Sequence, residues 1–506
     1  MDATGSARRP NVVVILADDL GWGDLSCQGA SAIDTPNIDA LARRGMRFTD
    51  AHASSAVCTP SRYSLLTGAY PWRSPLKSGV LGGADPAIIA SDAPTLARDL
   101  KSRGYSTGAF GKWHLGLGWT WLDGTVPEAF ADGFASDMQG HGRGIDYTVP
   151  FAGGPTALGF DRFFGIAGSL DMPPYCFLDQ DRAVGTPLAE KTDLVSSQRP
   201  GLASEGWRDD AVDTTVTAAA VDWIGEQRRA GNEFFAYIAT AAPHRPCVPP
   251  AFVRGSTTAG PRGDAVVLVD WMVGQLVAAL GEDLERTLVV FTSDNGAPTM
   301  FAEDMADAGM PGTGGAATAH RPNGPWRGQK ADAWEAGHRV PLIVAGAGTA
   351  AGVCGSLVSL LDLRPTVAEL VPGPGDDAAG PAAEHSLGPA VVEHGAAPDH
   401  LGDGESFAGL LAGAPDADGG RMLAQQAFDG TLVLRSGAAK AIYGTGSGGF
   451  SAPQGEPDDA GRGPGQFFDL AADPAETANL WVDRAPDAHA MIDTFEQRTG
   501  FRRGTR

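Results

Sequence analysis

The sequence predicts an α/β fold: a large mixed, mostly parallel sheet flanked by helices on both faces, with a smaller C-terminal antiparallel-sheet subdomain. Three observations carry that expectation. Short β-branched or apolar runs alternate with helical periodicities from Asn11 to Glu369, the pattern of strands joined by covering helices. Polar residues cluster directly after those runs, where open α/β sheets bind ligands. Beyond residue 371 the composition turns to Gly, Ala, Pro and Asp, and further short strand-like runs appear only after it.

In order, residues 12–17 form the first predicted strand, ending in Asp18-Asp19. Residues 36–44 follow Thr35 as an N-cap, with Pro at the first helical position. The run 105–110 is the second strand and is followed by Lys112 and His114; residues 210–229 then carry apolar side chains at three- and four-residue intervals. Strand 234–240 leads to His244, helix 264–280 follows, strand 287–292 leads to Asp294-Asn295, and 340–345 is a further strand. Residues 372–420 read as a Gly/Ala/Pro-rich linker or long loop. Residues 421–506 read as a small α+β subdomain with strands at 431–435, 440–443 and 466–470.

The 506 residues carry 61 acidic against 38 basic side chains, a formal charge of −23, which excludes nucleic acid or an anionic membrane surface as the expected partner. An anionic substrate then needs a local basic pocket, which a distant acidic surface, screened beyond about 10 Å, does not cancel. No apolar signal-peptide segment precedes the first strand and no run of transmembrane length is seen, so a cytoplasmic protein is expected as written. A mis-assigned start would hide a leader and make it periplasmic or secreted. Five cysteines, Cys27, Cys58, Cys176, Cys247 and Cys354, are odd in number and contain no C-x-x-C pair, so neither a disulfide framework nor zinc is indicated.

Six segments carry the chemistry. Cys58-Thr59-Pro60-Ser61-Arg62 continues as Tyr63-Ser64-Leu65-Leu66-Thr67-Gly68. A lone cysteine is ordinarily a small buried hydrophobe, but the length of this pattern argues for more. Adjacent acids such as Asp18-Asp19 at a strand end are often turn residues; a second such end at Asp294-Asn295 makes an oxygen-donor set suited to calcium or magnesium. The others are Gly111-Lys112-Trp113-His114-Leu115-Gly116, Ala242-Pro243-His244-Arg245-Pro246, and Trp326-Arg327-Gly328-Gln329-Lys330 with Glu335 to Pro341 beyond it.

Together these segments resemble the type I, formylglycine-dependent sulfatases, the arylsulfatase family of the alkaline phosphatase superfamily. The resemblance spans residues 11–369, and 466–480 are similar to that family's C-terminal end. It implies a catalytic domain at 10–371 that hydrolyses sulfate monoesters, aryl or carbohydrate. It also implies conversion of Cys58 to Cα-formylglycine by a formylglycine-generating enzyme, and a divalent ion, Ca2+ or alternatively Mg2+. Its ligands would be Asp18, Asp19, Asp294, Asn295 and the modified Cys58. The implied catalytic residues are Cys58, Arg62 orienting the nucleophile, Lys112 and Lys330 holding sulfate, His114 as base and His244 as acid. Where many members have Gly-Gly, this chain has Ala336-Gly337.

Two other readings stand beside this one. Relatives with the same aldehyde and fold cleave phosphonate monoesters or phosphodiesters, and a non-catalytic binding protein would keep an unmodified Cys58. Asp171, Tyr175, Arg245, Cys247 and His338 are near these segments in the chain and read as structural, with a place in the substrate pocket as the alternative.

Overall fold

Strand β1 (Asn11–Ala17) is buried along its whole length because it lies in the middle of a sheet covered on both faces. The computed structural model describes residues 8–124, 142–195, 198–299, 320–371, 373, 402–415, 420–457 and 463–501. After β1 come α1 (Pro36–Arg44), β2 (Gly45–Phe48), β3 (Ala51–His52), α2 (Cys58–Thr67), α3 (Leu96–Ser102), β4 (Ser106–Lys112), β5 (Arg162–Ile166), β6 (Leu178–Asp179) and β7 (Arg182–Ala183). Next are β8 (Ala189–Glu190), β9 (Leu202–Ala203), α4 (Val212–Ala230), β10 (Phe234–Ala239), α5 (Gly260–Leu280), β11 (Thr287–Ser293), α6 (Glu335–His338), β12 (Leu342–Ala345), β13 (Gly352–Cys354) and β14 (Val358–Ser359). The C-terminal part holds α7 (Leu363–Leu370), α8 (Ala408–Leu411), β15 (Met422–Gln426), β16 (Leu432–Ser436), β17 (Ala439–Ile442), β18 (Gln466–Asp469) and α9 (Trp481–Thr499).

The main sheet has the order β13-β2-β12-β11-β1-β10-β4-β5-β6-β7. Its centre, β11 through β5, is parallel, while β12 runs antiparallel to both β11 and β2. Alternate residues of β1 feed two cores. Val12, Val14 and Leu16 pack with Leu65 of α2, Leu100 of α3 and Val367 of α7; Val13 and Ile15 pack with Leu41 of α1, Val216 of α4 and Val269 of α5. The predicted helices on both faces are therefore present. A separate four-stranded antiparallel sheet, β15-β16-β17-β18, packs Leu434, Ala441 and Phe467 against Ile492 and Phe495 of α9.

Thr35 is the N-cap of α1 with Pro36 at its start, as expected; its hydroxyl donates to Asp39 at 3.2 Å and accepts from no helix amide. Two expectations are corrected. Gly260–Arg286 is long and apolar enough to cross a membrane, yet most of it is buried as the core helix between α4 and α1. Most of the predicted linker, residues 372, 374–401 and 416–419, lies outside the described residues, but its described portion includes α8, whose preceding Phe407 stacks edge-on with Phe48 at 5.3 Å.

Candidate active site

The parallel pairing of β1 with β11 places Ala17 beside Ser293, so Asp18 and Asp294 leave the sheet side by side, and Asp294 N donates to Ala17 O at 3.1 Å. On the other side of β1, β10 and β4 end together with Ala239 opposite Gly111. Gly111 has φ 99°, and a Cβ there would sit 1.9 Å from Ala239 O, so only glycine lets β4 bring Lys112 into the centre. His244 follows β10 after a four-residue loop whose backbone is pinned by Asp213 of α4: its two oxygens accept from Ala241 N at 2.8 Å and Ala242 N at 2.9 Å. Cys58 is the first residue of α2, at the end where helix amides present partial positive charge.

All ten residues expected from the sequence at the centre converge there. Cys58 Sγ is 3.6 Å from Asp18 Oδ1, 4.0 Å from Asp19 Oδ1 and 3.5 Å from Lys330 Nζ. Lys112 Nζ donates to Asp18 Oδ2 at 2.6 Å, and Lys330 Nζ lies 2.7 Å from Asp19 Oδ1. Arg62 donates to Asp294 Oδ2 from Nε at 2.9 Å and from Nη2 at 2.7 Å, while its Nη1 donates to Lys112 O at 3.1 Å. His244 Nε2 is 3.6 Å from Asp19 Oδ2. Asn295 Nδ2 donates to Asp19 Oδ1 at 2.6 Å. His114 is the residue held by its backbone, with φ 57° and its carbonyl accepting from Thr59 Oγ1 at 3.0 Å.

Residues 10–373 match the model of the family described as Sulfatase. The chain belongs to the sulfatase family. It is 30% identical to the N-acetylgalactosamine-6-O-sulfatase of Bacteroides thetaiotaomicron, over 94% of this chain and 90% of that one. Identity to arylsulfatase A of Bos taurus is 32%, over 97% of this chain and 88% of the relative. A solved structure from work on the metabolism of multiple glycosaminoglycans by Bacteroides thetaiotaomicron matches with a TM-score of 0.76 at 27% identity, covering 97% and 99% of the two chains. The phosphonate monoester hydrolase of Agrobacterium radiobacter, at a TM-score of 0.53 and 20% identity over 96% and 95% of the chains, shares the fold alone. Membership makes this chain a sulfuric ester hydrolase, in line with the resemblance of its motifs.

The electrostatics of the sulfatase centre follow from burying three carboxylates and three cations together. Burial pushes the Asp18 carboxyl up to about 7; Lys112 and Arg62 oppose that rise, and Asp294 and Asp19 add to it. Burial also pushes the Cys58 thiol up, against the pull of Lys112 and Lys330, so the thiol stays protonated and is a poor nucleophile as such. His114 and His244 are both held well below the usual imidazole range by burial and by nearby cations, Lys112 first for His114 and Lys330 first for His244. Their tautomers follow from their partners. Leu81 O, 2.6 Å from His114 Nε2, can only accept, so Nε2 carries the proton and Nδ1, buried without a partner, is bare. Likewise His244 Nδ1 donates to Arg245 O at 2.6 Å, leaving Nε2 to face the acids.

The donor set fits a hard divalent cation. Ligand atoms of Asp18, Asp19, Cys58 and His244 lie within 4.8 Å of one another, and Asn295 Oδ1 is buried with no hydrogen-bond partner among the described residues, a spare oxygen beside them. His244 Nε2 falls within that group by position, although its segment pointed to proton transfer.

Of the five residues read as structural, Tyr175 and Cys247 hold backbone: Tyr175 OH donates to Arg199 O at 2.7 Å and Cys247 Sγ to Pro243 O at 3.3 Å. His338 belongs to a second buried cluster, away from Cys58, with His52 and Glu335. Glu335 there meets Arg339 at 2.9 Å, Arg435 of β16 at 2.9 Å and Lys440 of β17 at 3.1 Å, tying the C-terminal sheet to the segment that carries Lys330. The same segment is held by Ala331 N donating to Ala56 O at 2.8 Å and by Phe450 N and Ser451 N donating to Asp332 Oδ1 at 2.9 and 3.0 Å. Ala336 is accommodated; it is Gly337 that has no room, a Cβ there lying 2.0 Å from Asp332 O. Asp171 accepts from Arg199 Nη1 at 2.6 Å and also lies beside His244, at 3.9 Å from Nδ1.

Proposed function

We propose that this sulfatase removes sulfate from sulfated carbohydrates, with aryl sulfates as simpler substrates, using Cα-formylglycine made from Cys58 and a Ca2+ ion. The observation that carries the reading is the basic lining around Cys58: Lys330, Lys112 and Arg62 converge in a chain whose net charge is −23. Such a lining suits a small tetrahedral anion. The relative named N-acetylgalactosamine-6-O-sulfatase supports a carbohydrate substrate. Maturation of Cys58 calls for a formylglycine-generating enzyme as a transient partner.

Asp18, Asp19, Asp294 and Asn295 would hold the cation, which supplies charge neutralisation at the sulfate and makes a nearby hydroxyl more acidic. A hydrated aldehyde at position 58 offers two hydroxyls, one to attack sulfur and one whose deprotonation later expels sulfate. Lys112 and Lys330, which lie beside Asp18 and Asp19, would bind sulfate oxygens. Arg62 holds Asp294 in a fork that lysine cannot make, and so fixes the direction of attack. His244 Nε2, bare in the neutral ring, takes up the proton of the attacking hydroxyl and passes it to the departing alcohol, and His114 Nδ1 is the free base that takes one from the second hydroxyl.

The test is mass spectrometry of the tryptic peptide containing Cys58, from protein made with and without a formylglycine-generating enzyme, beside activity on an aryl sulfate and a sulfated N-acetylhexosamine. Conversion of thiol to aldehyde rising together with sulfate release is expected. An unmodified thiol in active protein, or faster turnover of an aryl phosphonate than of the aryl sulfate, counts against this reading.

A further inference from the structure

Asp171 is only 2% exposed, yet among the described residues its Oδ1 has no hydrogen-bond partner. Its other oxygen is satisfied: Arg199 Nη1 donates to Oδ2 at 2.6 Å, and Arg199 N donates to Asp171 O at 3.0 Å. Arg199 is in turn fixed by Tyr175, and the preceding Gln198 donates from Nε2 to Leu170 O at 2.7 Å, so two loops are locked together around the carboxylate. Oδ1 stands 3.9 Å from His244 Nδ1, but that nitrogen's proton is already given to Arg245 O at 2.6 Å. His244 is therefore a neighbour of Oδ1 and not its partner. Ser169, in the same loop and also buried, has a hydroxyl without a partner.

A buried acceptor left bare is unfavourable, and native proteins keep such atoms chiefly where something else completes them. What completes this one must be a donor. A second sulfate or carboxylate is excluded by charge, and an aromatic ring offers no hydrogen for it. A hydroxyl meets the need. The imidazole separates Oδ1 from the sulfate-binding centre, since His244 Nε2 is 3.6 Å from Asp19 while the opposite side of the ring faces Asp171. With His244 Nε2 serving the departing oxygen, the alcohol half of the ester would lie against the His244 ring, and only a polyhydroxy alcohol carries a further hydroxyl that could reach round it to Asp171. Arg199, with 32% of its side chain exposed, runs from this carboxylate to the surface.

We propose that Asp171, held by Arg199, binds a hydroxyl of the leaving group, and so selects sulfated sugars over aryl sulfates. This rests on the sulfatase acting on sulfated carbohydrate, as set out above. Asp171→Asn is the isosteric probe: Arg199 will claim the amide oxygen and turn an NH2 group to where Oδ1 stood. The measurement is kcat/KM for an N-acetylhexosamine 6-sulfate and for 4-nitrophenyl sulfate, in parent and variant. The ratio of sugar to aryl values is expected to fall by about tenfold or more, since a site built to bond a hydroxyl rejects ligands strongly when the bond is lost. Equal loss on both substrates overturns the proposal and makes Asp171 a positioning residue for His244, and no loss on either overturns it outright. A parent that cleaves the aryl sulfate but no sugar sulfate overturns it while leaving the sulfatase reading intact. A second measurement needs no variant: N-acetylhexosamine should inhibit aryl sulfate turnover by the parent. At least one of its monodeoxy analogues should inhibit about tenfold less; equal inhibition by all of them overturns the proposal.

Discussion

Arg62 grips a single oxygen of Asp294 with two nitrogens, Nε at 2.9 Å and Nη2 at 2.7 Å to Oδ2, which leaves Asp294 Oδ1 facing Asp19, whose N lies 3.2 Å away. Both partners are fully buried, so the pair sets the direction of Asp294 more firmly than a surface ion pair would. Arg62→Lys is therefore expected to lower kcat by about 100-fold or more, because a point charge cannot make the fork. Steady-state kinetics on an aryl sulfate checks this, and a variant with parental kcat would refute it.

Cys58→Ser removes the route to an aldehyde while keeping a hydroxyl at the start of α2. One sulfuryl transfer is then feasible but the second hydroxyl is missing, so turnover should stop after about one equivalent or not begin. Intact mass after incubation with substrate is expected to show a gain of one sulfuryl group. Sustained multiple turnover by this variant is the contrary result.

Chelation provides an independent check on the acidic set. EDTA should abolish activity, Ca2+ should restore it, and Asn295→Ala should raise the Ca2+ concentration needed by about tenfold, since it deletes the unpartnered oxygen beside Asp19. Titration of activity against free Ca2+ reads the effect.

The second cluster predicts acid sensitivity of the fold. Burial holds His52 and His338 below the usual imidazole value of 6.5, so the unfolded chain takes up protons that the folded chain resists. Their contribution is thus fully present above pH 6.5 and is lost as pH falls below it. Thermal unfolding between pH 8 and pH 5 should show the parent losing several degrees more than His338→Gln does. Parallel curves for the two proteins would rule this out.

Glu335 makes the neighbouring case, with Arg339, Arg435 and Lys440 around one fully buried carboxylate. Glu335→Gln leaves three cations undercompensated, a loss of about 3–5 kcal/mol by comparison with other broken buried pairs. Denaturant unfolding measures it, and a change below about 1 kcal/mol would show that water enters the cluster.

Much of this architecture could be read in advance because its signals are local. β1, β11 and β10 are apolar runs ending in acids or a histidine, so both the strands and the place where Asp18, Asp294 and His244 meet follow from short stretches of chain. Two-residue strands such as β6 and β7 carry no period and were not foreseen. Nor was the reversal of β12, since an apolar run reads the same in either direction. Asp171 was named from the sequence, but its two readings, structural or substrate pocket, could not be separated there. Its importance lies in one oxygen having no partner, a property of four separate segments brought together and not of the residues beside it.

The backing of Lys330 by Phe450 and Ser451, and of Glu335 by β16 and β17, bears on the order of events at the ribosome. A nascent chain that has delivered Cys58, Lys112, His244 and even Lys330 still lacks the strands that press the last lysine toward the centre. Sulfate cleavage should consequently switch on late, as an all-or-none event tied to release of the final quarter of the polypeptide, with no graded gain as each site residue emerges.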